Sequence, residues 1–346
     1  LIGYSFFIAS SVVSIFFAKN KVESLVVLSQ HITIYLSLLF IILFSSSISD
    51  YYKFIFKVLY ILLLLELIFV LYPLIIDIDS NNVMMRSNRY VGLMSNINIT
   101  AFSLLYKVPV LLYFSEKSKK NKSLIFHLFV LFVTLFSVTI LGSRASLLAI
   151  FFIFFFRLTS ILFSKNKIKL KLILGYAFTL LLCLILNFKI TNDSNVVDRL
   201  ATIGALNNDS SINQRLQFYN ISFEIFKKHP FSGIGIGNWK YESIRENKFD
   251  AQGYIVPFFA HNDFLQIINE NGIVGFLGYI SIFLFLGHLF ILNIHNKKYV
   301  YTALFFGIYF IDAMLNFPMG RVVSQIHFII FLSLIFHINI IKNEQK

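Results

Sequence analysis

The sequence predicts an all-α, polytopic bundle of transmembrane helices with one long exterior loop, and three observations lead there. Of 346 residues, 57% are hydrophobic and 14% charged, where an ordinary soluble domain carries about 25% charged residues. Mean hydropathy is +0.76. The apolar residues, 42 Phe and 17 Tyr among them, fall into many separate runs, which excludes a soluble domain on a single anchor. Lys and Arg outnumber Asp and Glu by 30 to 17. The excess sits in short connections between apolar runs, so it reads as a topology signal and not as a nucleic-acid surface. The lone Cys183 lies inside an apolar run, which rules out a disulfide framework or a cysteine metal site.

A bilayer core takes about 20 apolar residues per helix. About ten runs meet that measure: 1–18, 24–48, 54–76, 97–115, 123–141, 145–163, 172–190, 272–294, 299–317 and 322–341. The chain opens inside the first run without an initiating Met or basic flank. That run reads as a span, not a signal peptide, with further N-terminal sequence expected before it. The connections 116–122 and 164–171 hold four Lys each, 296–298 holds two, and the tail carries Lys342 and Lys346. All four belong on the cytoplasmic side, which puts 77–96, 142–144, 191–260 and 318–321 outside. One connection fits poorly: Lys19, Lys21 and Glu23 would also lie outside. The expected organisation is N-terminal transmembrane helices over 1–190, an exterior loop over 191–271, and C-terminal transmembrane helices over 272–346.

The long polar connection is charge-balanced, with seven basic and seven acidic residues between 191 and 260, and so is expected to be folded. Within it Ile212, Leu216, Tyr219, Phe223 and Phe226 recur at helical spacing. They predict an amphipathic helix over 213–228 that rests on the membrane or the bundle. At the loop's end, Asp263 and Gln266 have capping-box spacing, which predicts a helix start with His261 just outside it. A histidine there could take a proton from a sugar hydroxyl, or could simply bond backbone at a helix start. Gly272, Gly275 and Gly278 read as a packing stripe. The run Gly233-Ile234-Gly235-Ile236-Gly237 reads as a tight turn in preference to an anion nest.

Arg144 follows Gly142-Ser143 where one span ends and the next begins. With Ser143 as N-cap, a guanidinium and the positive end of a helix meet, which suits a diphosphate at headgroup depth. The alternative is snorkelling to lipid headgroups. Arg215, Arg89 and Arg321 carry the same two readings. Glu66 and Lys107 lie mid-span and are expected to pair, since isolated charges there are costly. Asp312 could orient an arginine or the histidine. His31, His127, His288, His327 and His337 show no ligand spacing with carboxylates or Cys183, so no metal site is expected.

His261-Asn262, then nine residues, Gly272, two residues and Gly275 resembles the signature of the bacterial O-antigen ligase family, whose relatives include O-antigen polymerases and protein O-oligosaccharyltransferases. Arg89-Tyr90-Val91-Gly92 with Asn96 and Asn98, Gly142-Ser143-Arg144-Ala145, and Arg215 through His229-Pro230-Phe231-Ser232-Gly233-Ile234-Gly235 resemble further parts of that pattern. The resemblance runs from Arg86 to the C-terminus. It implies a GT-C-like membrane glycosyltransferase in the bacterial cytoplasmic membrane with its active site facing the exterior. Such an enzyme takes a glycan from undecaprenyl diphosphate and joins it to an acceptor hydroxyl, on a lipid A–core sugar or similar anchor in a ligase, on another lipid-linked repeat in a polymerase. Its partners would be that donor, that acceptor and membrane lipid, with no nucleic acid, cofactor or metal. Arg144 and Arg215 match the family's diphosphate-binding arginines and His261 its essential histidine; Arg89, Arg321, Asp312 and Asn262 are candidate supporting residues. The family usually has about twelve spans, which agrees with sequence missing before Leu1. Ligase-type activity is favoured over polymerase. A lipid-linked sugar transporter is the other class, and the absence of an internal repeat or of a pair of Gly/Pro-interrupted spans argues against it.

Overall fold

A computed structural model describes residues 1–94, 96–162, 170–191, 210–247 and 258–344. Parts of the long connection, 192–209 and 248–257, lie outside the described residues, as does most of the basic connection after residue 162. All regular elements among the described residues are helical. Eight helices are long and apolar enough to cross a membrane, and two shorter apolar helices, Ile2–Phe17 and Val322–Ile338, complete the ten runs expected. The chain is a multi-pass membrane protein.

Two compact units form. The first comprises Leu1–Ser47, Leu206–Leu292 and Asp312–Ser333; the second comprises Ile48–Ala205, Asn293–Ile311 and Leu334–Lys346. In the first, α1 (Ile2–Ser14) lies along α11 (Asp263–Leu292), and α2 (Lys21–Ser45) follows α1 after a 3-10 turn. Small residues make the α1–α11 approach possible. A Cβ on Gly278 would sit 2.9 Å from the Phe7 backbone nitrogen, and one on Gly275 would sit 2.7 Å from Ser10 Oγ. Two of the three glycines of the stripe therefore pack helices, as expected.

Gly272 does something else. Its φ of 65° and ψ of −174° break α11 in the middle, and a Cβ there would overlap the Phe231 carbonyl oxygen. The backbone groups freed by the break are taken up by the segment after α9 (Ser210–Lys228). Ile234 N donates to Asn269 O and Gly235 N to Glu270 O, each at 2.9 Å, while Ile273 N donates to Pro230 O at 2.9 Å. A glycine is needed because only it enters this conformation without a steric penalty.

The poorly fitting connection also finds its explanation in this unit. Lys19 pairs with Glu242, Lys240 Nζ reaches Glu23 Oε1 at 2.7 Å, and Asn20 N donates to Asn238 Oδ1 at 2.9 Å. Lys19 and Glu23 are thus neutralised by α10 (Trp239–Asn247), which weakens the orientation signal of this connection.

The second unit contains α3 (Tyr51–Asp79), α4 (Ile97–Leu105), α5 (Val108–Lys117), α6 (Asn121–Leu141), α7 (Arg144–Leu162) and α8 (Leu170–Ile190). α4 and α5 make one span broken at Tyr106-Lys107. Pro109, near the start of α5, has no N–H to continue the ladder. Lys107 N instead bonds Leu104 O at 3.1 Å, and the Lys107 ammonium takes the freed Ser103 carbonyl at 2.8 Å. The same ammonium reaches Glu66 Oε2 at 2.9 Å, and Ser103 Oγ donates to Glu66 Oε1 at 2.6 Å. The expected Glu66–Lys107 pair thus forms, as part of a helix break. Interrupted spans are therefore present, at Lys107 and at Gly272, contrary to the sequence reading. The remaining helices are α12 (Lys297–Leu315) and α13 (Val322–Glu344).

Candidate active site

The first unit brings His261, Asn262, Arg215, Asp312 and Arg321 together; Arg144 and Arg89 belong to the second. The junction in front of α11 differs by one residue from the expected cap. Asn262 is the N-cap: its Oδ1 accepts from Leu265 N at 3.1 Å and its carbonyl accepts from Gln266 N at 2.9 Å. Asp263 is the first helical residue, and its Oδ2 accepts from Met319 N at 2.9 Å. Asparagine and aspartate compete for the same capping role, and the aspartate is drawn off by the 3-10 turn Pro318–Gly320.

This tie brings the 317–321 segment to His261. The Phe317 ring stands edge-on to the imidazole at 5.1 Å and stacks on Phe259 at 4.1 Å. Phe218, one turn after Arg215 on α9, lies nearly parallel to the imidazole at 6.1 Å and 12°. His261 itself has φ +53°, a left-handed conformation that costs a non-glycine residue on the order of 1–3 kcal/mol and is held only where the surroundings impose it. Its Nδ1 is buried without a hydrogen-bond partner among the described residues. Burial, then Arg215, then Arg321 hold its pKa down to about 4, so the imidazole is neutral at pH 7 and free to accept a proton.

Arg321 is 6% exposed, with its guanidinium carbon 4.0 Å above the Phe317 ring. Its Nη1 lies 3.6 Å from Asp312 Oδ1, too far for a hydrogen bond, and its Nε and Nη1 have no partner among the described residues. Asp312 accepts from Asn316 Nδ2 at 2.7 Å. A buried guanidinium with donors unspent has the chemistry to bind an anion.

Helix α9 begins at Ser210, near the expected start, and presents a different face. Phe218, Ile221 and Ile225 are buried with Ile234, Trp239 and Ala260, whereas Leu216 and Phe223 are 53% and 57% exposed. The helix is apolar on more than one side: Phe218, Ile221 and Ile225 meet the protein, and the expected face, with Leu216 and Phe223, is the outer one. The glycine-rich turn after it is indeed a turn whose amides face an anion, and that anion is internal. Gly237 N donates to Glu270 Oε2 at 2.8 Å and Trp239 N to Glu270 Oε1 at 3.2 Å. Glu270 went unnoticed in the sequence, since its partners are backbone amides some thirty residues away.

In the second unit, Gly142 closes α6 with φ +59° and Ser143 O accepts from Leu147 N at 3.0 Å, so half-buried Arg144 opens α7 at its N-terminus. Arg89 Nη1 bonds Asp77 Oδ1 at 2.5 Å, and Tyr90 OH donates to Asp77 Oδ2 at 2.7 Å. Arg89 is thereby committed to an internal carboxylate.

No curated protein matches the chain. Residues 129–280 match the family model described as O-antigen ligase. That interval contains Arg144, Arg215 and the whole His261-to-Gly275 signature, and it supports the family resemblance carried by those residues. Over that interval the chain is similar to O-antigen ligases.

Proposed function

We propose that the protein transfers a glycan from undecaprenyl diphosphate to an acceptor hydroxyl at the outer face of the cytoplasmic membrane, as a ligase, with His261 as general base and Arg144 and Arg215 on the diphosphate. The observation that carries this reading is a neutral imidazole held in a strained backbone under the field of Arg215 and Arg321. The step balances simply. The acceptor O–H gives its proton to the imidazole, its oxygen bonds the anomeric carbon, and the bond from that carbon to the diphosphate oxygen breaks with its electron pair. The leaving group is already stable, so the protein's task is to hold positive charge beside it and to remove one proton. Arg321 has donors to spare for the same charge, with Asp312 and Asn262 as positioning residues; Arg89, spent on Asp77, has the weakest claim.

A polymerase would use the same donor bond and differ in acceptor. A transporter is the less favoured alternative. Interrupted spans often mark transport paths, but here Asn269 O, Glu270 O and Ile273 N at the Gly272 break are bonded by residues 230–235, and Ser103 O at the Lys107 break by the Lys107 ammonium, so these backbone groups are not offered to cargo.

The test is transfer of lipid-linked oligosaccharide in reconstituted membranes without nucleotide. His261→Ala should abolish transfer while the protein stays folded and inserted. Arg144→Lys should only weaken it, because lysine keeps the charge and loses the two-pronged grip on phosphate. Full activity in His261→Ala would eliminate the general base. A deletion strain that accumulates polymerised lipid-linked glycan would support a ligase; single repeats would support a polymerase.

A further inference from the structure

A cavity of about 260 Å³ lies within the first unit, between α2, the first half of α11 and the glycine-rich turn. Three carboxyl groups line it, Glu23, Asp263 and Glu270, together with His31 and Asn271, and Phe258 is on its wall. His31 is 6% exposed and Asn271 2%. Yet His31 Nδ1 and Asn271 Oδ1 have no hydrogen-bond partner among the described residues. Buried polar groups are normally paired, so these two await one. Phe258 is 62% exposed, an aromatic face on a wall that mixes polar and apolar side chains.

We propose that this cavity holds one neutral sugar ring of a glycan substrate. Hydroxyl groups are the ligand that such a wall lacks. Each can donate to a carboxylate or amide oxygen, or to an imidazole nitrogen, and the C–H face of the ring can lie on an aromatic side chain. The volume lies below the roughly 300–1,000 Å³ of sites for larger ligands, which suits a single ring. The lining also sets the selectivity: Lys240, the one ammonium on it, is already paired with Glu23, so the carboxylate of a uronic acid ring would leave water without a cation to meet it. Asp263 follows His261 by two residues, which joins the chamber to the proposed base along the chain. The inference rests on the glycosyltransfer reading only for which glycan the ring belongs to, acceptor or donor.

The experiment uses the full chain in nanodiscs, with saturation-transfer NMR on methyl glucoside and methyl glucuronide in the absence of donor. Signal from the glucoside with at least a fivefold weaker signal from the glucuronide is expected. Val27→Phe, which places a ring in the cavity, should remove the glucoside signal. His31→Leu, which removes an unpartnered nitrogen and should leave folding intact, should weaken it severalfold. Equal signals from the two glycosides, or a glucoside signal untouched by His31→Leu, overturn the proposal. In transfer assays Val27→Phe should raise one KM about tenfold with kcat within twofold: the acceptor's if the ring is the acceptor's, the donor's if it is the donor's. Neither KM moving overturns it. Should His261→Ala keep full transfer while the glucoside still binds, the general base fails and the sugar site stands.

Discussion

Glu270 and Arg321 lie in the same unit, each at least nine-tenths buried, and the protein treats them in opposite ways. Glu270 is well partnered: Gly237 N, Trp239 N and Gln266 Nε2 all donate to it. Arg321 has an aromatic ring beneath it and an ion-pair partner, Asp312, just out of hydrogen-bond range, and its Nε and Nη1 donate to nothing among the described residues. A buried polar group with its hydrogen bonds in place builds structure; buried donors left unspent are a standing cost that folding alone does not explain. The first holds the glycine-rich turn against the broken helix. The second stands beside His261 with donors unspent.

Conservative substitutions should separate the two. Glu270→Gln puts an amide NH2 where backbone N–H groups already point, losing a charge-assisted hydrogen bond and facing donor with donor. A loss of roughly 2–4 kcal/mol is expected, read as earlier thermal unfolding followed through Trp239, the one tryptophan, which sits in that turn. Arg321→Lys keeps the charge opposite Asp312 and loses the unspent Nε and Nη1 donors. Its unfolding should match wild type while transfer falls by a factor of about 10 to 100, the worth of one or two hydrogen bonds to a charged group. If Glu270→Gln left stability intact, or Arg321→Lys cost stability and not rate, the contrast between the two charges would be wrong.

The contrast also marks what could be read from the sequence. The spans were legible because a run of apolar residues is all that a bilayer requires of a helix. The Glu66–Lys107 pair was legible because two charges at one depth have few other choices. His261 was found because a capping pattern marks a helix start, although the cap proved to be Asn262. What stayed hidden depends on backbone groups. Nothing local distinguishes Gly272, which turns the chain back on Phe231, from Gly275 and Gly278, which merely let α1 approach. Glu270 looks like any acid near the start of a span until the turn from residue 233 to 239 is folded over it. For α9 the expectation left membrane and bundle open, because the helix is apolar on two sides and periodicity cannot say which side meets protein.

The smallest effect expected concerns pH, and it asks whether Arg215 and Arg321 act on His261 through charge. Transfer needs the imidazole neutral, so kcat/KM should hold level as pH falls and decline only near pH 4, where the free enzyme's histidine gains its proton; kcat/KM reports the free enzyme. Two anionic phosphates bound beside the arginines would offset their field and favour the protonated imidazole. The acidic limb of kcat should therefore lie at higher pH than that of kcat/KM, making the histidine a better base once the donor has arrived. Arg215→Gln removes one cation and should move the kcat/KM limb upward by a fraction of a pH unit. Burial, the largest cause of the depression, remains, so the limb should stay below the ordinary histidine value of about 6.5. Arg321→Lys retains its charge and should leave the limb in place, although the rate has dropped. A limb that follows Arg321→Lys and ignores Arg215→Gln would mean that hydrogen-bond geometry, not electrostatic field, sets the basicity of His261.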